Sequence, residues 1–140
     1  MKKSRFPKFS IMIVDNDETI IDVLTQMLRL EGITNVIGCR DSRQVYDLCG
    51  RLNVGIMLLD LSMPFLSGEE ILLAVRADFP WISVIILTGS NEISIAVECM
   101  KNDAIDFLNK PVDHLRLISS LMHTIENMEI KEENKRLRRA

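Results

Sequence analysis

Short apolar runs alternate with stretches of helical periodicity along most of the chain. Four runs of four or five mostly apolar residues predict buried strands, at 11–14, 55–59, 84–87 and 104–108, and a further strand is predicted around 35–39. Between them, apolar residues recur every three or four positions, as in helices that pack one face on a sheet. This alternation is typical of βα units and predicts an α/β fold with five parallel strands and five helices.

Polar residues at the ends of these segments predict where the helices begin and end. Ser67 and Glu70 have the spacing of a capping box at the start of the third helix, and Asp41 and Gln44 repeat that spacing before the second. Gly32 is placed to end the first helix, because glycine readily adopts the left-handed backbone found there.

The last helix is predicted to begin just after Pro111 and to run past the domain. It has two adjacent apolar stripes: Leu115, Ile118, Met122 and Ile125 form one, and Leu117, Leu121 and Met128 form the other. A single helix face cannot bury both stripes. We therefore expect one stripe to pack on the sheet and the other to contact a second copy of the chain in a homodimer.

Five strands and five helices fit a doubly wound, flavodoxin-like sheet with strand order 2-1-3-4-5 and an extended last helix. Such sheets place their ligands in a crevice at the carboxyl ends of strands one and three, which would bring Asp15, Asn16 and Asp60 together. Asp60 is the most informative of these residues, because it ends a continuous apolar strand and an unpaired buried carboxylate is costly. Thr88 and Lys110 follow the last two strands and are candidates for the same crevice.

Composition narrows the classes of protein to consider. The chain has 140 residues, 47% hydrophobic and 26% charged, which are the values of one globular domain. No apolar run approaches the roughly 20 residues of a membrane span, and no secretory signal is present. Its three cysteines lack metal-site spacing and are expected to be buried free thiols in the cytoplasm. The chain is acidic between its basic ends, so DNA binding would require another segment.

The candidate residues together suggest phosphoryl chemistry. An aspartate can attack a phosphoryl group when a cation neutralises the charge between them. Mg²⁺ suits this task because it takes hard oxygen ligands in octahedral geometry. Thr88 can donate a hydroxyl group to a phosphoryl oxygen, and Lys110 can supply a mobile positive charge.

Four motifs carry a family resemblance: Asp15-Asn16-Asp17, Asp60-Leu61-Ser62-Met63-Pro64-x-x-Ser67-Gly68, Thr88-Gly89 and Lys110-Pro111. In this order and at strand ends, they resemble the receiver domain of two-component response regulators over residues 9–127. The resemblance implies that Asp60 accepts a phosphoryl group from a sensor histidine kinase. It implies a phosphoacceptor switch with at most slow self-dephosphorylation, not an enzyme.

The resemblance also implies roles for the neighbours of Asp60. Asp15, Asn16, Asp60 and the backbone carbonyl group of Ser62 would hold Mg²⁺. Thr88 and Phe107 match the family's switch residues, and Lys110 matches its active-site lysine. Lys110-Pro111 would be a cis peptide.

Two residues depart from the family pattern. Asn16 replaces the second acidic residue, and an amide oxygen brings no charge to a magnesium site. Phe107 lacks the hydroxyl group of the tyrosine that is also common there. The loss of charge at Asn16 keeps open an alternative, a degenerate receiver that acts only as a protein-interaction module.

A finer resemblance lies in residues 107–113 and in the Glu133-Asn134-x-x-Leu137 part of the last helix. These segments look like the receiver of nitrogen-regulatory-type transcription activators, in which an AAA+ ATPase and a DNA-binding domain follow. Residues 128–140 are then expected to be a helical linker toward an output domain outside these 140 residues, and only that domain would bind DNA.

A haloacid-dehalogenase-type phosphatase is a rival interpretation. Asp15-x-Asp17-x-Thr19 after an apolar strand matches the nucleophile and acid/base motif of those enzymes. Against it, no acidic pair follows Lys110 to hold the metal, and Asp60 would have no role.

Overall fold

The fold is a five-stranded parallel sheet covered by helices on both faces. The computed structural model describes residues 8–139. The elements are β1 (Ser10–Val14), α1 (Glu18–Leu30), β2 (Val36–Cys39), a 3-10 turn (Ser42–Gln44), α2 (Val45–Arg51), β3 (Val54–Asp60), α3 (Gly68–Asp78), β4 (Ser83–Thr88), α4 (Ile93–Lys101), β5 (Asp106–Asn109) and α5 (His114–Arg139). The strand order is β2-β1-β3-β4-β5, and every pair is parallel. The predicted doubly wound fold is therefore confirmed.

The sheet separates two apolar layers. Side chains of α2, α3 and α4 pack on one face, and those of α1 and α5 pack on the other. The central strand β3 is buried along all seven of its residues, which explains its continuous apolar sequence. Because β3 ends at Asp60, the carboxylate of Asp60 is also buried, at the carboxyl end of the central strand. No helix among residues 8–139 is long and apolar enough to cross a membrane.

The predicted helix caps form in two of three cases. Ser67 and Glu70 make both bonds of a capping box at α3. Gly32 follows the end of α1 with φ of 84°, a conformation that favours glycine. The box predicted for Asp41 and Gln44 is wrong. Asp41 instead accepts a hydrogen bond from the amide group of Arg43 and caps the 3-10 turn, so that α2 begins only afterwards.

The last helix continues without a break from His114 to Arg139, as the sequence predicts. Leu117, Leu121 and Ile125 are buried against the sheet, and Ile118, Met122 and Met128 pack partly buried on the same apolar layer. Leu115 is 78% exposed. The predicted division into one packed stripe and one partner-facing stripe is therefore wrong, because residues of both stripes pack on the sheet, and Leu121 is not available to a partner. Residues 129–138 are exposed, and Ala140 lies outside the described residues.

Candidate functional site

Polar residues meet where four neighbouring strands of the sheet, β1, β3, β4 and β5, end. Asp15 follows β1, Asp60 is the last residue of β3, Thr88 is the last of β4, and Lys110 follows β5. The registers Val14 to Leu59, Asp60 to Leu87 and Thr88 to Asn109 bring these ends to the same level. The sheet therefore places all four residues along one edge, as the sequence predicts.

Lys110 joins the two carboxylates of this edge. Its Nζ donates to Asp15 Oδ2 at 2.9 Å and to Asp60 Oδ1 at 2.8 Å. The side chains of Asp15 and Asp60 are only 1% and 3% exposed, whereas that of Lys110 is 25% exposed. Two buried carboxylates thus face a common point, where a single ammonium group that solvent can reach offsets only part of their charge.

The pKa values of Asp60 and Lys110 are both raised, but for different physical reasons. Burial raises the pKa of Asp60, and the charge of Asp15 adds to the effect, although Lys110 and the amide group of Ser62 oppose it. For Lys110, burial would lower the pKa, but the hydrogen bonds and charges of Asp60 and Asp15 outweigh it and raise the pKa. The ammonium group therefore stays charged. Keeping the buried Asp60 carboxylate ionised costs free energy, and a further cation would reduce that cost.

Backbone groups fix the remaining orientation of both carboxylates. Asp15 Oδ1 accepts the amide hydrogen of Asp17 at 2.9 Å, while the side chain of Asp17 is used to cap α1. Asp60 Oδ1 has a long contact of 3.4 Å with the amide nitrogen of Ser62. The close approach of α3 to the end of β3 requires glycine at position 68. Any side chain there would clash, because its Cβ would lie 2.7 Å from the Asp60 carbonyl oxygen. Gly68 thus allows α3 to begin directly against the end of β3.

The donor set fits a magnesium ion with few charged ligands. Among residues 8–139 no group of three or more His, Cys, Asp or Glu residues is arranged to hold a metal. The charged donors are therefore Asp15 and Asp60, and any further ligands must be neutral oxygens. Asn16 and Ser62 are both exposed beside them and offer an amide oxygen and a backbone carbonyl oxygen. All of these are hard oxygen donors of the kind that Mg²⁺ prefers.

Of the two predicted switch residues, Thr88 lies at this edge, and Phe107 lies within β5, two residues before that strand ends. The Thr88 side chain is fully buried, and its hydroxyl group donates to the carbonyl oxygen of Gly89 at 3.1 Å. Phe107 is partly buried and packs against the apolar layer that α2, α3 and α4 cover. The hydroxyl group is thus bonded within its own loop and not to Asp60.

One polar network near Phe107 was missed by the sequence reasoning. Asp106 accepts two hydrogen bonds from Arg116, at 2.9 and 3.0 Å, one from Ser120 at 2.7 Å and one from the amide group of Phe107 at 2.8 Å. Although burial would raise the pKa of Asp106, its bonds to Arg116 and Ser120 outweigh this effect and lower it. No periodicity links a strand residue to a helix ten and fourteen positions later, so the sequence held no signal for it.

Known proteins resemble this chain in sequence over most of its length. The transcriptional regulatory protein FixJ of Bradyrhizobium diazoefficiens is 32% identical over 122 residues, which cover 87% of the chain and 59% of FixJ. The C4-dicarboxylate transport transcriptional regulatory protein DctD of Pseudomonas aeruginosa is 30% identical over 130 residues, or 93% of the chain and 28% of DctD. The chain thus spans between about a quarter and three fifths of the curated relatives it matches.

Solved structures give the same result. Full-length FixJ from B. japonicum superposes with a TM-score of 0.83 at 30% identity, covering 91% of this chain and 63% of FixJ. A receiver domain protein from Clostridium thermocellum has a TM-score of 0.78 at 28% identity, covering 87% and 98% of the two chains.

A family model for the response regulator receiver domain matches residues 11–122, which include all four motifs. This match contradicts the phosphatase alternative, whose motif used Asp15, Asp17 and Thr19 as catalytic residues. The strand order, the motifs at the strand ends and the matched range agree, and the chain belongs to the receiver domain family of response regulators.

Proposed function

We propose that this domain is a phosphorylation-dependent switch in which Asp60 accepts a phosphoryl group from a sensor histidine kinase. The observation that carries the proposal is the convergence of two buried carboxylates on one ammonium group at the end of β3. Two buried carboxylates that share one cation within reach of solvent suit phosphoryl transfer to a carboxylate. The relatives named as transcriptional regulators support regulation of transcription as the output.

Each residue has a separate task in the proposed transfer. A carboxylate oxygen of Asp60 forms the new bond to phosphorus, and the bond between phosphorus and the kinase histidine nitrogen breaks. Mg²⁺, held by Asp15, Asn16, Asp60 and the Ser62 carbonyl group, would neutralise charge between carboxylate and phosphoryl group. Lys110 is placed to transfer its hydrogen bond from Asp60 to a phosphoryl oxygen. The domain acts as a phosphoacceptor with at most slow self-dephosphorylation, not as an enzyme.

The conformational change that follows phosphorylation is assigned to Thr88 and Phe107. A phosphoryl group on Asp60 offers the Thr88 hydroxyl group a stronger acceptor than the Gly89 carbonyl oxygen that it now contacts. Movement of Thr88 toward Asp60 would leave space for the Phe107 ring to turn inward. The phosphoryl group would then bind one conformer better than the other, which is what a population shift requires.

The test is to treat the chain with Mg²⁺ and either acetyl phosphate or beryllofluoride. Asp60 should be modified or ligated, as shown by mass spectrometry of the borohydride-trapped protein and by fluorine NMR, and Asp60→Asn should abolish both signals. Asp47→Asn is a matched control on the exposed surface of α2 and should leave the signals unchanged. A wild-type chain that stays unmodified would favour the degenerate receiver that Asn16 suggests.

We also propose that residues 9–127 form the receiver proper and that residues 128–140 are a linker toward an output domain in the cytoplasm. Only that domain would bind DNA, since the receiver is acidic. Homodimerisation is assigned to the exposed end of α5, residues 129–138, called here the α5 extension. Within it, Ile130 and Leu137 are 51% and 64% exposed and seven positions apart. Residues at this spacing lie on one helix face, as in a coiled-coil seam.

The dimer is tested by analytical ultracentrifugation with and without beryllofluoride. Ile130→Glu with Leu137→Glu, or deletion of residues 129–140, should give a monomer in which Asp60 is still phosphorylated. Leu121 is unsuitable for such a test, because it is fully buried against the sheet. A wild-type chain that remains monomeric at high concentration would refute the dimer and leave the extension as a linker.

A further inference from the structure

Ser42 connects the 3-10 turn after β2 to the loop that follows Asp60. Its side chain is buried, and its Oγ donates to the carbonyl oxygen of Pro64 at 2.6 Å while accepting the amide hydrogen of Leu66 at 3.1 Å. In the described part of the chain, these are the hydrogen bonds that join residues 63–66 to another segment. One buried hydroxyl group therefore holds both sides of the loop.

The neighbouring residue makes a second contact with the same loop. The Arg43 guanidinium group is held by both carboxylate oxygens of Asp41 and lies 3.7 Å from the centroid of the Phe65 ring. Phe65 has φ of 73°, a left-handed conformation that is uncommon for a bulky residue, and it is 70% exposed. The arginine stacks on one face of this ring and opposes relaxation of the loop.

The loop held in this way carries a proposed magnesium ligand. Ser62 lies between Asp60 and the held residues, and its carbonyl group is one of the neutral oxygens available there. Because Asn16 contributes no charge, the site has only two carboxylates, and its affinity depends more on neutral oxygens that already face the ion. An ion that first had to order the loop would lose part of its binding free energy.

We propose that Ser42 and Arg43 are positioning residues, which hold the loop after Asp60 so that the Ser62 carbonyl group is set for Mg²⁺ before the ion arrives. This inference rests on the proposed function. Neither residue touches the phosphoryl group or the ion. Both act through loop 61–66 from a turn that follows a different strand.

The test measures Mg²⁺ affinity by isothermal titration calorimetry on the whole 140-residue chain. Ser42→Ala should raise the dissociation constant about tenfold, the lower end of the range for residues that orient metal ligands. Ser120→Ala is the matched control, because Ser120 is also a buried serine with a hydrogen bond, to Asp106, but lies on α5. It should lower the unfolding midpoint without changing Mg²⁺ affinity.

A second pair of variants does not depend on a buried position. Arg43→Ala should raise the Mg²⁺ dissociation constant about two- to fivefold, the equivalent of an exposed cation–π contact. Arg51→Ala removes an exposed arginine that is paired with Asp47 on α2, and should have no effect. The fluorine NMR signal of the beryllofluoride adduct should need correspondingly more Mg²⁺ in Ser42→Ala and Arg43→Ala.

The possible results separate this inference from the proposed function. Unchanged Mg²⁺ affinity in both Arg43→Ala and a folded Ser42→Ala would overturn the positioning role while leaving Asp60 as phosphoacceptor. The same loss in Ser120→Ala as in Ser42→Ala would also overturn it, since general destabilisation would then be the cause. A wild-type chain that binds no Mg²⁺ and forms no adduct would reject the proposed function itself.

Discussion

Replacing Lys110 by methionine is the most direct probe of the site, because it removes the ammonium group and keeps most of the side-chain volume. Two carboxylates that are 1% and 3% exposed then lose their common partner. Removing one partner of a fully buried ion pair costs about 3–5 kcal/mol. Because the Lys110 side chain is 25% exposed and solvent screens part of its charge, we expect a loss of about 2–3 kcal/mol.

The assay is urea unfolding of Lys110→Met and wild type at neutral pH, with and without Mg²⁺. If the site has a dissociation constant of about 1 mM, then about 10 mM Mg²⁺ adds about 1.4 kcal/mol of stability. The variant should gain more than wild type, since no ammonium group competes for the same oxygens. Its deficit should also shrink as the pH falls, because protonation of Asp60 removes the repulsion that Lys110 normally offsets.

The double variant Asp60→Asn with Lys110→Met isolates the cause. With one carboxylate removed, loss of the ammonium group should cost less than it does in the presence of Asp60, and the difference is the interaction energy of the pair. Equal unfolding midpoints for wild type and Lys110→Met in the absence of Mg²⁺ would refute the electrostatic account of this site.

Three further predictions concern the neighbouring residues. Asn16→Asp should bind Mg²⁺ more tightly by on the order of 1–2 kcal/mol, measured by calorimetry, because it adds a charged oxygen ligand; equal affinities would show that Asn16 is not a ligand. Thr88→Ala should still be phosphorylated yet lose the phosphorylation-dependent amide shifts of residues 91–109, and shifts like those of wild type would contradict the switch. Asp106→Asn should lower stability by about 1–2 kcal/mol at neutral pH. Since the folded pKa of Asp106 is depressed, wild type should lose this advantage as the pH falls through that pKa, and a pH-independent difference would contradict the Asp106–Arg116 contact.

The sheet and the location of the site follow from sequence because both depend on simple periodicity. Parallel strands place their carboxyl ends at one edge, so polar residues after four apolar runs had to meet there. Sequence could not show that Lys110 bridges Asp15 and Asp60, because a lysine side chain can reach many positions from the end of β5. It also gave no sign of the Ser42 contacts, which depend on the path of two loops.

The error in α5 has a similar physical origin. Residues of both candidate stripes pack on the sheet, and the buried stripe of the helix also contains Ser120 and Thr124. Both are buried with their hydroxyl groups satisfied, by Asp106 and by the carbonyl oxygen of Ser120. Polar residues that find partners inside the fold therefore made the buried stripe appear less apolar than it is.

Because α5 is long, a small tilt of the helix at the sheet would produce a larger displacement at its C-terminal end. Its 26 residues correspond to a rod of about 39 Å, and only the part up to Met128 lies against the domain. If the base of such a rod tilts by about 10°, its far end moves by about 7 Å, more than one helical turn. Under the proposed switch, α5 would act as a lever arm, which turns a small tilt near β5 into a larger displacement of the exposed residues 129–138.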